Sequence, residues 1–320
     1  YSMLSRNQLA PAREQLELAL AESLQSVGPR AAQTFEIREA LAQLLISSDR
    51  PTEAEQPLKQ LIADVEAAGL QAKPIYLLSL NNLGQLYLAL ERYPEARVYL
   101  GRARALPLPA KGTLAADTQA ILTSNLAYVA HGLGELDEAD RLFTQAEAEF
   151  AALRPGGSAE LASLLNNRAF LLDDQGKDDE AYAMRKASVA MREQVLGDSH
   201  PALVRPLMDL ARDAMMRGET DYALEQAIKA VAVAERAYAE PSVDRVYALV
   251  MHAGALINAK QFLQSGEVLM RAEAEAATLQ APPDYLTEGL SYTRRELCKR
   301  PRTPAVPSCA GIVPTEPALP

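Results

Sequence analysis

Apolar positions recur along the chain at helical spacing, and the helices they predict recur in turn at a longer period. Leu83 and Tyr87 are four residues apart and share one helix face. Ala96, Leu100 and Ala103 form the i, i+4, i+7 stripe of a second helix. Polar punctuation separates such pairs: Pro94-Glu95, Asp137-Glu138 and Asp179-Glu180 each precede an alanine that opens a second helix. Gly134, Gly176 and Gly218 stand where a first helix must end, a position suited to positive φ.

The period is constant. The small residue of the first helix falls at Ala42, Gly84, Ala127, Ala169, Ala211 and Ala253, in steps of 42 residues with one of 43. The small residue of the second helix falls at Ala12, Ala54, Ala96, Ala139, Ala181, Ala223 and Ser265, again in steps of 42 with one of 43. The extra residue is expected in the linker 107–113. Chance apolar patterning does not hold phase over so many units, so the chain reads as stacked helical hairpins. A single hairpin cannot bury both of its faces, and stacking does so. The expected organisation is a second helix of an incomplete first repeat over 1–28, a repeat array over 29–280, a capping helix over 281–300 and a Pro-rich tail over 301–320. Tyr1 in place of a methionine suggests a piece of a longer chain.

Composition agrees with an all-α fold. Alanine is abundant, Trp is absent and Gly numbers only 16 in 320 residues, which disfavours sandwiches and barrels. A net charge of −10 argues against nucleic acid as a partner, since a phosphate backbone needs a basic face. No apolar run approaches the roughly 18 residues of a membrane span. Residues 1–20 lack the pattern of a signal peptide.

The small residue, the turn glycine and the Glu-Ala start of the second helix resemble tetratricopeptide repeats. The period of 42, Asn166-Asn167 and the linker Leu196-Gly197-Asp198-Ser199-His200-Pro201 are similar to the longer kinesin-light-chain type. The resemblance covers about residues 1–275, an order of magnitude of several repeats. It implies a right-handed α-solenoid whose first helices line a concave groove that holds a protein or peptide segment. It places Asn81, Asn82, Gln85, Asn125 and Tyr128 on or near that groove, followed by Asn166, Asn167 and Phe170, then Arg205, Met208, Arg212 and Met215. The asparagines recurring at 82, 125 and 167 would hold a peptide backbone, because an amide both donates and accepts. The competing reading has them bonding within the array. Met208, Met215, Met216 and Met251 suit an adaptable apolar surface or, equally, ordinary core packing. Arg168, Arg185 and His252 occupy sites that other repeats fill with large apolar residues.

Catalytic and metal constellations are not expected, nor is a cofactor. Asp198-Ser199-His200 names triad residues, but neighbours on one loop cannot adopt triad geometry. His131, His200 and His252 fall in three different repeats without ligand spacing. The acidic cluster Asp173-Asp174 and Asp178-Asp179-Glu180 lacks calcium-loop spacing. Cys298 and Cys309 are the only cysteines. They read as a disulfide formed in an oxidising compartment, or as two unrelated thiols. Together these features predict a non-enzymatic binding module. It would be the sensing or interaction segment of a larger bacterial signalling protein, such as a membrane-bound Ser/Thr kinase, with an extracytoplasmic (periplasmic) location favoured. A cytoplasmic assembly scaffold that self-associates through residues 1–28 is the alternative.

Overall fold

The computed structural model describes residues 6–46, 51–107, 113–280, 282–300 and 309. The tail 301–320, apart from Cys309, and most of the linker expected to hold the extra residue lie outside them. Among the described residues there are fourteen α-helices, two short 3₁₀ turns and no strand. The chain divides after Lys177 into two compact units.

The first unit contains α1 (Arg6–Ser26), α2 (Ala32–Ile46), α3 (Glu55–Ala67), α4 (Pro74–Ala89), α5 (Tyr93–Arg104), α6 (Thr113–Gly132), α7 (Leu136–Leu153) and α8 (Ala159–Asp174). Helices pack on their sequence neighbours, and first helices also contact one another in succession, α2 on α4, α4 on α6 and α6 on α8. The core is the predicted stripe: Leu58, Leu83, Tyr87, Leu100 and Phe143 are buried. Gly84 takes the small-residue position that is alanine in other repeats. A Cβ there would lie 2.5 Å from Cγ of the fully buried Leu100, so this hairpin approaches too closely for even a methyl group. Polar bonds cross between repeats as well. Glu55 accepts from the Tyr87 hydroxyl at 3.0 Å and from Arg92 at 2.9 Å, while the Arg92 guanidinium lies 4.5 Å from the centre of the Tyr87 ring.

The second unit contains α9 (Asp178–Leu196), α10 (Val204–Met216), α11 (Thr220–Ala237), α12 (Val243–Asn258), α13 (Phe262–Ala276) and α14 (Asp284–Cys298). Here α10 packs on α12 and α12 on α14. Leu203, Leu207, Leu210, Val246, Leu249, Leu269, Leu286 and Leu297 form one buried cluster. Met208 belongs to this cluster with 1% of its surface exposed, so it is a core residue and is removed from the predicted groove. Arg185, flagged in the sequence as a departure from an apolar site, is compensated by charge. Its Nη1 donates to Asp213 Oδ2 at 2.8 Å, with both side chains almost fully buried. His200 caps the 3₁₀ turn Pro201–Leu203, its Nδ1 accepting from the Ala202 N–H at 3.2 Å.

Among the described residues, five hairpin turns have the same hydrogen bonds. The N–H three residues beyond the helix returns to a carbonyl five residues back: Arg92 to Tyr87, Glu135 to Ala130, Lys177 to Leu172, Glu219 to Ala214 and Gln261 to Leu256, all at 2.8–2.9 Å. The residue between must be left-handed. Gly134, Gly176 and Gly218 supply it with φ of 77°, 71° and 74°. In register, the same position is Glu91 (φ 55°) and Lys260 (φ 59°). Left-handed backbone costs an L-residue roughly 1–2 kcal/mol, partly offset in a glycine variant by its freer unfolded state. Glu91→Gly and Lys260→Gly should therefore each stabilise the protein by about 0.5–1 kcal/mol. Urea unfolding checks this, and a loss of stability in both would contradict it.

Cys298 and Cys309 are joined by a disulfide, their Cα atoms 5.5 Å apart. Cys298 is buried at the end of α14, and Cys309 packs against the core of the second unit. A short cross-link of this kind stabilises by about 2–3 kcal/mol in the loop-entropy account. Unfolding in reductant should lose that amount relative to oxidised protein. Equal midpoints would show that the bond constrains nothing.

Candidate ligand-binding groove

In the first unit three of the predicted groove asparagines, Asn81, Asn82 and Asn125, are engaged within the array. Asn82 is buried, and its Nδ2 donates to Glu39 Oε1 on the neighbouring first helix at 2.5 Å. Burial raises the Glu39 carboxyl above its ordinary value, and the Asn82 hydrogen bond opposes the rise. Asn125, at the same repeat site, donates from Nδ2 to Asn81 Oδ1 at 3.4 Å. These two side chains lie at the seam between first helices, which is why they bond along the array. Asn82 is thereby withdrawn as a ligand contact. Gln85, Asn166, Asn167 and Phe170 are half-buried. The Tyr128 ring stands edge-on to Tyr93 at 6.3 Å and beside His131, whose Nε2 is 2.7 Å from Asp174 Oδ2.

The second unit holds a cavity of about 1040 Å³, open to solvent. Its walls come from α10, α12 and α14, the successive first helices, and from the turn after α12. Met215, Met216, Tyr247, Met251, Ile257 and Tyr292 give it an apolar lining. Met216 is 74% exposed and Tyr292 60% exposed, so large apolar side chains face water there. The size is at the upper end of the roughly 300–1,000 Å³ typical of ligand sites. Gly254 and Gly289 thin the wall, and a Cβ on Gly254 would meet nothing within 4 Å.

Charged groups sit around this apolar floor. Arg212 lines the cavity, its Nη2 3.1 Å from Asp209 Oδ1 and its Nε 3.8 Å from Asp213 Oδ1. Burial raises the Asp209 carboxyl above the usual range, against the pull of Arg212, Arg185 and Arg205. Lys260, Glu296 and Arg300 also line the site. Arg205 is committed elsewhere. Its Nε donates to Asp244 Oδ1 at 2.7 Å and its Nη2 to the Tyr285 hydroxyl at 3.0 Å, tying α10 to α12 and α14. Of the predicted groove residues, the structure brings Arg212 and Met215 together on the cavity wall. It adds Tyr247, Lys260, Tyr292 and Glu296. Lys260 could have been found from its register with Gly134, Gly176 and Gly218. Tyr292 lies on a helix whose polar composition reads only as a cap.

Among the described residues no group of three or more His, Cys, Asp or Glu is arranged to hold a metal ion, and no helix is long and apolar enough to cross a membrane.

Family models of the tetratricopeptide repeat match residues 160–236 and 77–106. No curated protein matches the chain significantly. Among solved structures, the nearly identical TPR-like repeats assigned to a Podosopora anserina kinesin light chain align at 21% identity. They cover 64% of this chain and 97% of that one, with a TM-score of 0.51. BtubC (BKLC) from P. vanneervenii aligns at 16% identity over 78% of this chain and 94% of its own, with a TM-score of 0.57. A Rap protein complexed with Competence and Sporulation Factor aligns at 11% identity over 84% and 77%, with a TM-score of 0.58. At these identities the likeness is one of fold: an all-α solenoid of helical hairpins. The chain carries tetratricopeptide repeats over residues 77–106 and 160–236, and its period of 42 and its fold are similar to those of kinesin-light-chain repeats.

Proposed function

We propose that this protein is a non-enzymatic interaction module whose second unit binds a peptide or protein segment in the cavity of α10, α12 and α14. The observation that carries this reading is the open cavity itself, lined by three methionines and two tyrosines that water would otherwise cover. Methionine repacks around different side chains, and tyrosine offers area at low entropic cost. The Rap protein, solved with a bound factor, supports the same use of such a fold. The cavity should be closed to any segment by a bulky side chain at Gly254, with the fold intact.

The disulfide supports an extracytoplasmic setting for this module. Service as the sensing segment of a larger signalling protein, kinase-linked or otherwise, is carried forward from the sequence, and kinase motifs in the flanking coding sequence would test it.

A second reading, self-association as a scaffold, is favoured by α1. Leu18 is 65% exposed and Leu24 43% exposed on this helix. Sedimentation should then show a concentration-dependent dimer that Leu18→Lys abolishes. A monomer at all concentrations would dismiss it.

A further inference from the structure

The last helix of the second unit is fastened differently from the first helices before it. Helix α10 is followed by α11 and α12 by α13, and each pair packs together. Among the described residues no helix follows α14, which packs on α12 and α13. Leu286, Leu290 and Leu297 give it a place in the buried cluster of this unit, and Cys309 packs against that same cluster.

Three fastenings run along α14. Near its start the Tyr285 hydroxyl accepts from Arg205 of α10, and the Tyr285 ring stands edge-on to Tyr247 of α12 at 5.6 Å. Further on, Arg294 Nε donates to Glu273 Oε1 of α13 at 2.7 Å. At the last residue of the helix, Cys298 is bonded to Cys309. The ion pairs Glu296–Lys299 and Glu296–Arg300 are local to this end and tie it to neither α12 nor α13. Tyr292, Thr293 and Glu296, which line the cavity, lie on the half of the helix that the disulfide closes. Ion pairs and edge-on ring contacts are indifferent to redox conditions. The disulfide is not.

We infer that the Cys298–Cys309 bond is a redox lock on the C-terminal half of α14, and that a protein dithiol opens it. Cys298 is 2% exposed and Cys309 is half-buried, so the attacking thiolate reaches Cys309 Sγ. The S–S bond breaks, a mixed disulfide forms on Cys309, and Cys298 leaves as a thiolate that takes up a proton. The donor's second thiolate attacks the mixed disulfide and releases Cys309, which is protonated in turn. The donor ends as a disulfide and this chain as two thiols. Reversal with an oxidised donor closes the lock. Cutting the cross-link frees the end of α14 to leave its neighbours while the Tyr285 fastening holds its start. The loop-entropy account puts the change in that local equilibrium at about thirty- to a hundredfold. The lock acts on the helix itself and needs no ligand in the cavity.

Hydrogen exchange of the whole chain under native conditions tests this, before and after treatment with dithiothreitol, a small dithiol that stands in for the protein donor. Dithiothreitol should reduce the bond without urea. Amides of 293–298 should then exchange at least tenfold faster, while those of 287–290, α10 and α12 stay within about twofold. The double variant Cys298→Ser, Cys309→Ser should show the reduced pattern with or without dithiothreitol. Reduction that proceeds only in urea would overturn the inference, because a lock must open in the folded protein. So would unchanged exchange at 293–298 after full reduction. Equal acceleration in α10, α12 and α14 would overturn it as well, since that is the mark of a staple that stabilises the unit as a whole.

Discussion

Asp213→Ala should be among the most destabilising single substitutions in the second unit, costing about 3–5 kcal/mol. Arg185 on α9 has a side chain only 4% exposed, and Asp213 on α10 faces it at 2.8 Å with 8% exposed. Removing the carboxylate leaves a buried guanidinium, which does not escape by losing its proton. The pair itself need not be a net gain. Desolvating two ions offsets most of their attraction, so Arg185→Met combined with Asp213→Leu should be near neutral or stabilising. The surface pair Arg97–Glu135, with each side chain over 40% exposed, is the control. Losing it should cost below about 1 kcal/mol. Urea midpoints of the four proteins decide the matter. A small effect of Asp213→Ala would mean that water or another group reaches Arg185 when the carboxylate is gone.

That pair also marks where the sequence stops being readable. Arg185 stands out at once, because the repeat frame assigns its position an apolar residue. Its partner lies 28 residues away on another helix, and no periodicity connects the two. The helices themselves were legible because small residues at Ala42, Gly84, Ala127, Ala169, Ala211 and Ala253 keep phase, and close packing requires them to. Faces were legible only in part. Met208 and Met215 are seven apart and share a face of α10, yet one is core and the other lines the cavity. Which neighbouring helix covers a face at each level is a tertiary fact. The recurring asparagines have the same limit. Recurrence at 82 and 125 fits a ladder between first helices as well as a row of ligand contacts, and the structure has Asn82 bonded to Glu39 and Asn125 to Asn81. Helix α14 was legible as a helix but not as a wall. Its stripe Leu286, Leu290 and Leu297 marks the buried face, and nothing in it says that Tyr292, Thr293 and Glu296 beside that stripe reach a cavity.

Gly254→Trp should abolish binding in the groove without harming the fold. Gly254 lies mid-helix in α12 and lines the cavity, and a Cβ placed there meets open space. Replacing glycine in a helix interior gains a few tenths to about 1 kcal/mol of helix propensity, so stability should hold or rise. The indole would occupy the volume that a ligand side chain needs, between Met215, Met251 and Tyr292. Affinity should fall at least a hundredfold, about 2.7 kcal/mol. A tryptophan on the outer face, at exposed Ile228 of α11, should leave affinity unchanged.

The most direct measurement of the central claim is calorimetric titration of one segment that binds the wild-type protein into these two variants, with circular dichroism recorded on each. The account predicts no detectable heat from Gly254→Trp, an unchanged Kd for Ile228→Trp, and the same helical signal and melting temperature, within a few degrees, in all three proteins. Full binding to Gly254→Trp together with loss at Ile228→Trp would contradict it and move the interaction to the outer face of the repeats.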